Sequence, residues 1–315
     1  MGSELSALKG RDFLASGDIS SEQSQALINL AAAIKSGQRR PRLEGKVLGL
    51  IFSKASTRTR VSFTVAMARL GGQTIDLNPS LSQVGRGEPI ADTARVLSRY
   101  VDALAIRTFA QSDLQGYADA ASIPIINALT DLEHPCQALA DYLTMQEAFG
   151  SLEGLTMAYV GDGNNVAHSL LIAGAQLGVN VRIGCPAGFH PDPQVVEQAR
   201  ALAGERCRME VVVDPGCAVA GAQAVYTDVW ASMGQEQEQS EREQAFKGFC
   251  VDEALMAKAD PAAIVLHCLP AHRGEEISEA VLEGPASRIF DQAENRLHAQ
   301  QALLASLLGA DGLEA

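Results

Sequence analysis

The chain has 315 residues, 47% of them hydrophobic, and a formal charge of −13 from 25 basic and 38 acidic side chains. That length and apolar content allow about two domains, while the acidic balance argues against nucleic acid or an anionic membrane as a general partner. No stretch nears the roughly 20 apolar residues of a membrane span, the start shows no signal-peptide pattern, and six cysteines without a C-x-x-C pair read as reduced thiols of a cytoplasmic protein.

In chain order, apolar periodicity in the first half predicts helices over 20–36, 59–70, 88–100 and 111–119. Strand-like runs lie between them at 46–52, 73–77, 103–107 and 123–126. A helix beginning in HPCQALADYLTMQEAFG ends near Gly150, and a fresh strand–turn–helix–strand unit follows over 155–161, 166–177 and 180–186. Further strands are predicted at 209–213, 224–227 and 263–267, and a last amphipathic helix at about 292–308. Alternation of this kind predicts an α/β protein of two doubly wound parallel-sheet lobes joined by helices. The break between them is expected near 147–153.

The most informative segment is SKASTRTRVSFT, residues 53–64, which sits between a buried strand and a helix. There Ser56, Thr57 and Thr59 fall at a helix N-terminus, where unpaired N–H groups and the positive dipole end attract anions. Arg58 and Arg60 are expected to add guanidinium forks that match phosphate oxygens. A cap with two solvated arginines is the plain alternative. The interleaving of hydroxyls and arginines in an acidic chain favours a small phosphorylated ligand.

Four further motifs stand at strand ends: His134-Pro-Cys-Gln137, Gly161-Asp-Gly-Asn-Asn165, Asp228-Val-Trp-Ala-Ser-Met-Gly and His267-Cys-Leu-Pro-Ala-His272. The glycine turn invites a dinucleotide reading, but its third glycine position holds Val166 and no acid follows the second strand. Its glycines are instead expected to make a tight turn with Asn164 and Asn165 facing the crevice. His267, Cys268 and His272 fit no structural zinc spacing, so no metal is assigned. A Cys–His nucleophilic pair lacks any sequence signal that would orient the base.

Together these motifs resemble the ornithine carbamoyltransferases. The resemblance rests on STRTR, the QVGRGEPIADTARVLSRY segment, IRTF, HPCQ, GDGNN, DVWASMGQE and HCLPAHRGEE, in the family's order from residue 46 to about 296. STRTR and HPxQ mark the wider carbamoyltransferase group, and SMG with HCLP point to ornithine. Ala55, where many relatives carry Ser or Pro, is a departure; Lys54 stands where several relatives also have lysine.

The resemblance implies a carbamoyl-phosphate-binding domain over 1–148 and an ornithine-binding domain over 149–291, with a C-terminal helix, about 292–315, able to pack back on the first. It implies a homotrimer or a multiple of trimers, with active sites at subunit boundaries. Carbamoyl phosphate would be held by Ser56, Thr57, Arg58, Thr59, Arg107, His134, Gln137, Cys268, Leu269 and Arg296, with Gln83 lent by a neighbouring subunit. Ornithine would be held by Asn165, Asp228, Ser232 and Met233. Catalysis would fall to Thr59, Arg107, His134 and Cys268, without metal, nucleotide or redox cofactor. The reaction, a step of arginine metabolism, converts carbamoyl phosphate and L-ornithine to L-citrulline and phosphate. The SMG segment and the Gln/Glu-rich stretch after it are expected to form a mobile lid over 230–245. Rival readings are transfer to putrescine or N-acetylornithine, a nicotinamide-dependent dehydrogenase built on the glycine turn, and a non-catalytic metabolite-binding subunit.

Overall fold

A computed structural model of the chain describes residues 2–78, 87–231 and 239–313. It forms two compact units, Met1–Leu143 with Asn295–Ala315, and Thr144–Glu294.

The first unit opens with α1 (Gly2–Ser6) and α2 (Ser21–Lys35). Alternation then begins: β1 (Val47–Phe52), α3 (Thr57–Leu70), β2 (Gln73–Leu77), α4 (Ile90–Leu97), β3 (Ala103–Arg107), α5 (Gln111–Ala120), β4 (Ile125–Leu129) and α6 (Pro135–Phe149), whose residues from Thr144 onward belong to the second unit. The strands pair in parallel in the order β2-β1-β3-β4. Continuous apolar runs such as VLGLIF and ALAIR are what strands covered on both faces require, and β1, β3 and β4 are buried along nearly their whole length. Ile51, Leu104, Ile106, Leu114 and Ile125 share one core between sheet and helices. The edge strand β2 is polar and largely exposed, which discourages pairing with another chain.

The chain leaves β1 in one direction to build β2 and in the other to build β3, so the winding reverses between β1 and β3. A crevice outside the carboxyl ends of these two strands is where an open α/β sheet places a ligand. STRTR follows one strand and Arg107 ends the other; the Ser53 N–H donates to the Arg107 carbonyl at 2.8 Å.

The second unit repeats the plan with β5 (Thr156–Val160), α7 (Asn165–Leu177), β6 (Asn180–Gly184), α8 (Pro193–Ala203), β7 (Met209–Val212), α9 (Pro215–Val219) and β8 (Ala224–Thr227). It continues through α10 (Gln239–Ala245), α11 (Glu253–Met256), β9 (Ile264–His267) and α12 (Glu279–Leu282). The order is β7-β6-β5-β8-β9, again parallel, so winding reverses between β5 and β8. The loops after β5, β8 and β9 carry GDGNN, DVW and HCLP. Trp230, Phe246, Phe249 and Ile277 pack with Val160, Val225 and Val265 in its core. The final helix, α13 (Ile289–Leu307), belongs from Asn295 onward to the first unit.

Both units thus have the parallel α/β character that the alternation predicts. The short helices α8 to α12 were not among the sequence-predicted elements. Of these, α8 has a clear start signal, with Asp192 accepting the Gln194 N–H and Pro193 at the first helical position.

Candidate active site

In the first unit, the turn after β1 delivers Ser56 to the N-cap position of α3 in an extended conformation, and its side chain makes no cap hydrogen bond. The helix end is therefore not closed by its own hydroxyl, which leaves its N–H groups facing outward as an anion site. Thr57 and Arg58 are exposed at this end and Thr59 is buried. Arg60 does not join them. Two residues on a helix are about 200° apart, so Arg60 faces away, pairs with Asp76 on β2 and lies 5.0 Å over the Phe52 ring. The expectation that Arg60 is a phosphate-facing fork is thereby corrected.

Around this helix end the structure gathers buried cationic and neutral donors. Arg107 ends β3 where its register with β4 shifts, a bulge that re-aims the side chain. Arg296, from α13, donates to the Thr59 hydroxyl. Both arginines are more than nine-tenths buried, as is His134 just before α6. Burial, then the charges of Arg296 and Arg107, hold the His134 imidazole well below its usual 6.5. It is neutral at pH 7 and can donate a hydrogen bond without adding a third buried charge. Gln137, fully buried one turn along, donates to Asp141 at 2.7 Å. That bond engages the amide nitrogen of Gln137, while its amide oxygen is buried and makes no hydrogen bond among the described residues. Lys54 is ion-paired with Asp131 and sits 4.3 Å over the Phe109 ring, tying the STRTR turn to the segments after β3 and β4.

In the second unit three loops meet at Asp228. One carboxylate oxygen accepts from the Asn164 amide at 2.9 Å. The other accepts from the Val229 N–H at 2.8 Å and from the Cys268 thiol at 2.9 Å. Asn164 also caps α7, its oxygen accepting from the N–H groups of Val166 and Ala167. Its side chain is thus taken up by cap and carboxylate, which corrects the expectation that it faces the crevice beside Asn165. Asn165, the first residue of α7, is half-buried.

The glycine turn explains itself by packing. A Cβ on Gly163 would lie 2.2 Å from the Pro191 nitrogen and 2.5 Å from the His190 carbonyl carbon, so the second glycine admits protein backbone where a dinucleotide fold admits pyrophosphate. Asp162 is ion-paired at 2.8 Å with buried Arg242, which also donates to the Trp230 carbonyl at 2.7 Å and stands over Phe189.

After β9, buried His267 accepts the Leu269 N–H on Nδ1 at 2.8 Å and meets Glu276 through Nε2 at 3.1 Å. Leu269 is left-handed, with φ 61°, a conformation that costs a non-glycine residue roughly 1–3 kcal/mol. Ligand-type atoms of Asp228, His267 and Cys268 lie within 4.8 Å of one another, as do those of His272, Glu275 and Glu276; both His267 nitrogens are already engaged in hydrogen bonds.

Among the sequence-predicted site residues, Thr59, Arg107, His134, Gln137 and Arg296 gather in the first unit with Ser56, Thr57 and Arg58 at the α3 start. Asp228 and Cys268 meet in the second unit, beside Leu269 and Asn165. Gln83, Ser232 and Met233, and residues 232–238 of the expected lid, lie outside the described residues; residues 239–245 of that lid form α10. Sequence reasoning set Asn164 on the crevice and missed its hold on Asp228, and it assigned no site role to His267 and Glu276, whose pairing only the fold reveals.

Two family models match the chain. The one described as "Aspartate/ornithine carbamoyltransferase, carbamoyl-P binding domain" matches residues 11–147. The one described as "Aspartate/ornithine carbamoyltransferase, Asp/Orn binding domain" matches residues 153–307. An ornithine carbamoyltransferase of Parasynechococcus marenigrum is 72% identical over 305 residues, covering 97% of this chain and 96% of the relative. That of Nostoc punctiforme is 61% identical, covering 98% and 100%. Among solved structures, ornithine carbamoyltransferase from Pyrococcus furiosus superposes with a TM-score of 0.92 at 50% identity, covering 96% of this chain and 98% of that one. The enzyme from Gloeobacter violaceus gives 0.88 at 55%, covering 96% and 100%.

Proposed function

The chain belongs to the aspartate/ornithine carbamoyltransferase family, and we propose that it transfers the carbamoyl group of carbamoyl phosphate to the side-chain amine of L-ornithine, giving L-citrulline and phosphate. The observation that carries this reading is the meeting of Arg107, Arg296, neutral His134 and Thr59 beside a helix start that its own N-cap side chain, Ser56, does not close.

The phosphate is assigned to the α3 N-terminus, with Ser56, Thr57, Arg58 and Thr59 stabilising the charge that grows as it leaves. Arg107, His134 and the Thr59 hydroxyl are assigned to the carbamoyl oxygen, which becomes more negative at the tetrahedral stage. The buried Gln137 oxygen, which makes no hydrogen bond among the described residues, suits the carbamoyl N–H. Arg296 holds Thr59 and adds positive charge. The residues of 1–148 form the carbamoyl-phosphate domain in this reading and those of 149–291 the ornithine domain.

The attacking amine must be neutral. An alkyl ammonium of pKa about 10 costs roughly 3–4 kcal/mol to deprotonate near pH 7.5, and a cationic, partly desolvated pocket reduces that cost. Asp228 takes the α-ammonium group, so the side-chain amine is the one aimed at the carbamoyl carbon, with Asn165, Ser232 and Met233 completing the acceptor contacts. Cys268 and the Leu269 carbonyl orient the amine. The thiol is already donating to Asp228, which supports orientation over proton abstraction. Cys268, Leu269 and Gln83, the last from a neighbouring subunit of a homotrimer, complete the donor side. The 230–245 segment is assigned as the lid that keeps water from carbamoyl phosphate. A cytoplasmic location fits six cysteines of which none forms a disulfide. No described helix is long and apolar enough to cross a membrane.

The test is product formation from carbamoyl phosphate with ornithine, putrescine and N-acetylornithine side by side. Citrulline formation at least tenfold more efficient than either rival product is expected. Equal or greater use of putrescine, which has no α-carboxylate, would overturn the acceptor assignment.

A further inference from the structure

The loop after β9 holds its two site residues, Cys268 and Leu269, in a backbone that their own sequence does not favour, since Leu269 has φ 61° and only glycine and a few polar residues adopt that region readily. The stabilising contact comes from the preceding residue. The Leu269 N–H donates to His267 Nδ1 at 2.8 Å. A nitrogen that accepts carries no hydrogen, so the imidazole is the Nε2–H tautomer, and Nε2–H donates to Glu276 at 3.1 Å. The same Glu276 oxygen accepts the His272 N–H at 2.5 Å, closing the loop from its far side. His267 and Glu276 are almost wholly buried, with 1% and 0% exposure. The His267 N–H itself is fixed at 2.8 Å on Gln292.

From this chain of contacts we propose that His267 is a positioning residue for the acceptor: Glu276 fixes its ring, and the ring's Nδ1 pins the left-handed Leu269, setting the thiol and carbonyl that orient the ornithine amine. His267 touches neither substrate. The inference rests on the ornithine reading above. It differs from a general packing role because it assigns separate tasks to the two ring nitrogens, and two substitutions separate them. In His267→Asn the amide oxygen reaches the Nδ1 position and can still accept from Leu269, but nothing reaches Glu276. In His267→Gln the amide nitrogen reaches the Nε2 position and can still donate to Glu276, but Leu269 loses its acceptor.

Steady-state kinetics of the parent and both variants read the outcome. The ornithine KM of His267→Asn is expected within about threefold of the parent. That of His267→Gln should rise about tenfold or more, the scale of losing a part-buried hydrogen bond that positions the acceptor. Equal ornithine KM in the two variants, or the reverse order, would overturn the proposal. A parent that makes no citrulline would instead bring down the ornithine reading, and this inference with it. Deuterium exchange of the peptide spanning 265–272 in the parent needs no variant to fold. A slowly exchanging Leu269 amide is expected, and complete exchange within seconds would refute the pin.

Discussion

Arg296 and Thr59 are 237 residues apart in the chain and share a buried hydrogen bond, the guanidinium donating to the hydroxyl. A residue of the last helix thereby holds in place a hydroxyl assigned to the carbamoyl oxygen. Removing either partner costs the site a buried, charge-assisted hydrogen bond, about 1–3 kcal/mol. Thr59→Val and Arg296→Gln are each expected to lower kcat/KM for carbamoyl phosphate about 10- to 100-fold. The double variant should fall little further, because residues acting as one unit are not additive. Measured coupling near zero would separate their roles.

Arg58 is the one guanidinium of the STRTR segment on the outer side of the α3 start, and it is exposed. Its removal takes charge from the phosphate position without opening the core. Arg58→Gly is expected to raise the carbamoyl-phosphate KM more than 100-fold, while the melting temperature moves by only about 2–4 °C, the cost of one glycine in a helix. Normal saturation with carbamoyl phosphate would refute the cradle.

Much of this arrangement was legible in the sequence because of the physics of parallel sheets. Strands buried on both faces must be apolar throughout, so VLGLIF, ALAIR and IVLH announce themselves, and the loops at their carboxyl ends are where ligands collect. What was not legible depends on distance or on angle. Nothing local links Asn164 to Asp228, 64 residues later. The same is true of His267 and Glu276, which a loop brings together. Arg60 was misread because alternation in RTR looks like one cluster when written out, yet a helix turns the two arginines to opposite sides. The helices α9 to α12 are only 4 to 7 residues long, too short to show a periodic pattern, whereas α8, with 11 residues, carried the start signal of Asp192 and Pro193 and was missed.

His134 makes folding stability depend on pH, with a definite sign. Its imidazole titrates at 6.5 when unfolded and well below that when folded. Below pH 6.5 the unfolded chain therefore takes up a proton that the native state refuses, and stability falls as pH falls toward the folded value. The slope for one such group approaches about 1.4 kcal/mol per pH unit. Urea midpoints of the parent and His134→Gln at pH 7.5, 6.5 and 5.5 read this directly. The variant should lose about 1 kcal/mol less than the parent between the outer two values. Parallel pH dependence would mean that His134 takes up its proton equally in the native and unfolded states, and would refute the lowered native value.

The assignment of Gln83 to a neighbour's site has a consequence that single variants cannot produce. In a cyclic homotrimer each site would take Arg58 from one subunit and Gln83 from the next. Gln83→Ala and Arg58→Gly should each be nearly inactive alone. If the two are denatured together and reassembled at equal amounts, a site formed by a Gln83→Ala subunit next to an Arg58→Gly subunit contains neither change. Random assembly makes such sites about a quarter of the total, so the mixture should recover about a quarter of the parent's turnover, with sedimentation reporting a trimer or a multiple of it. If Gln83 served its own subunit, every site would carry one lesion and the mixture would stay as inactive as its parts.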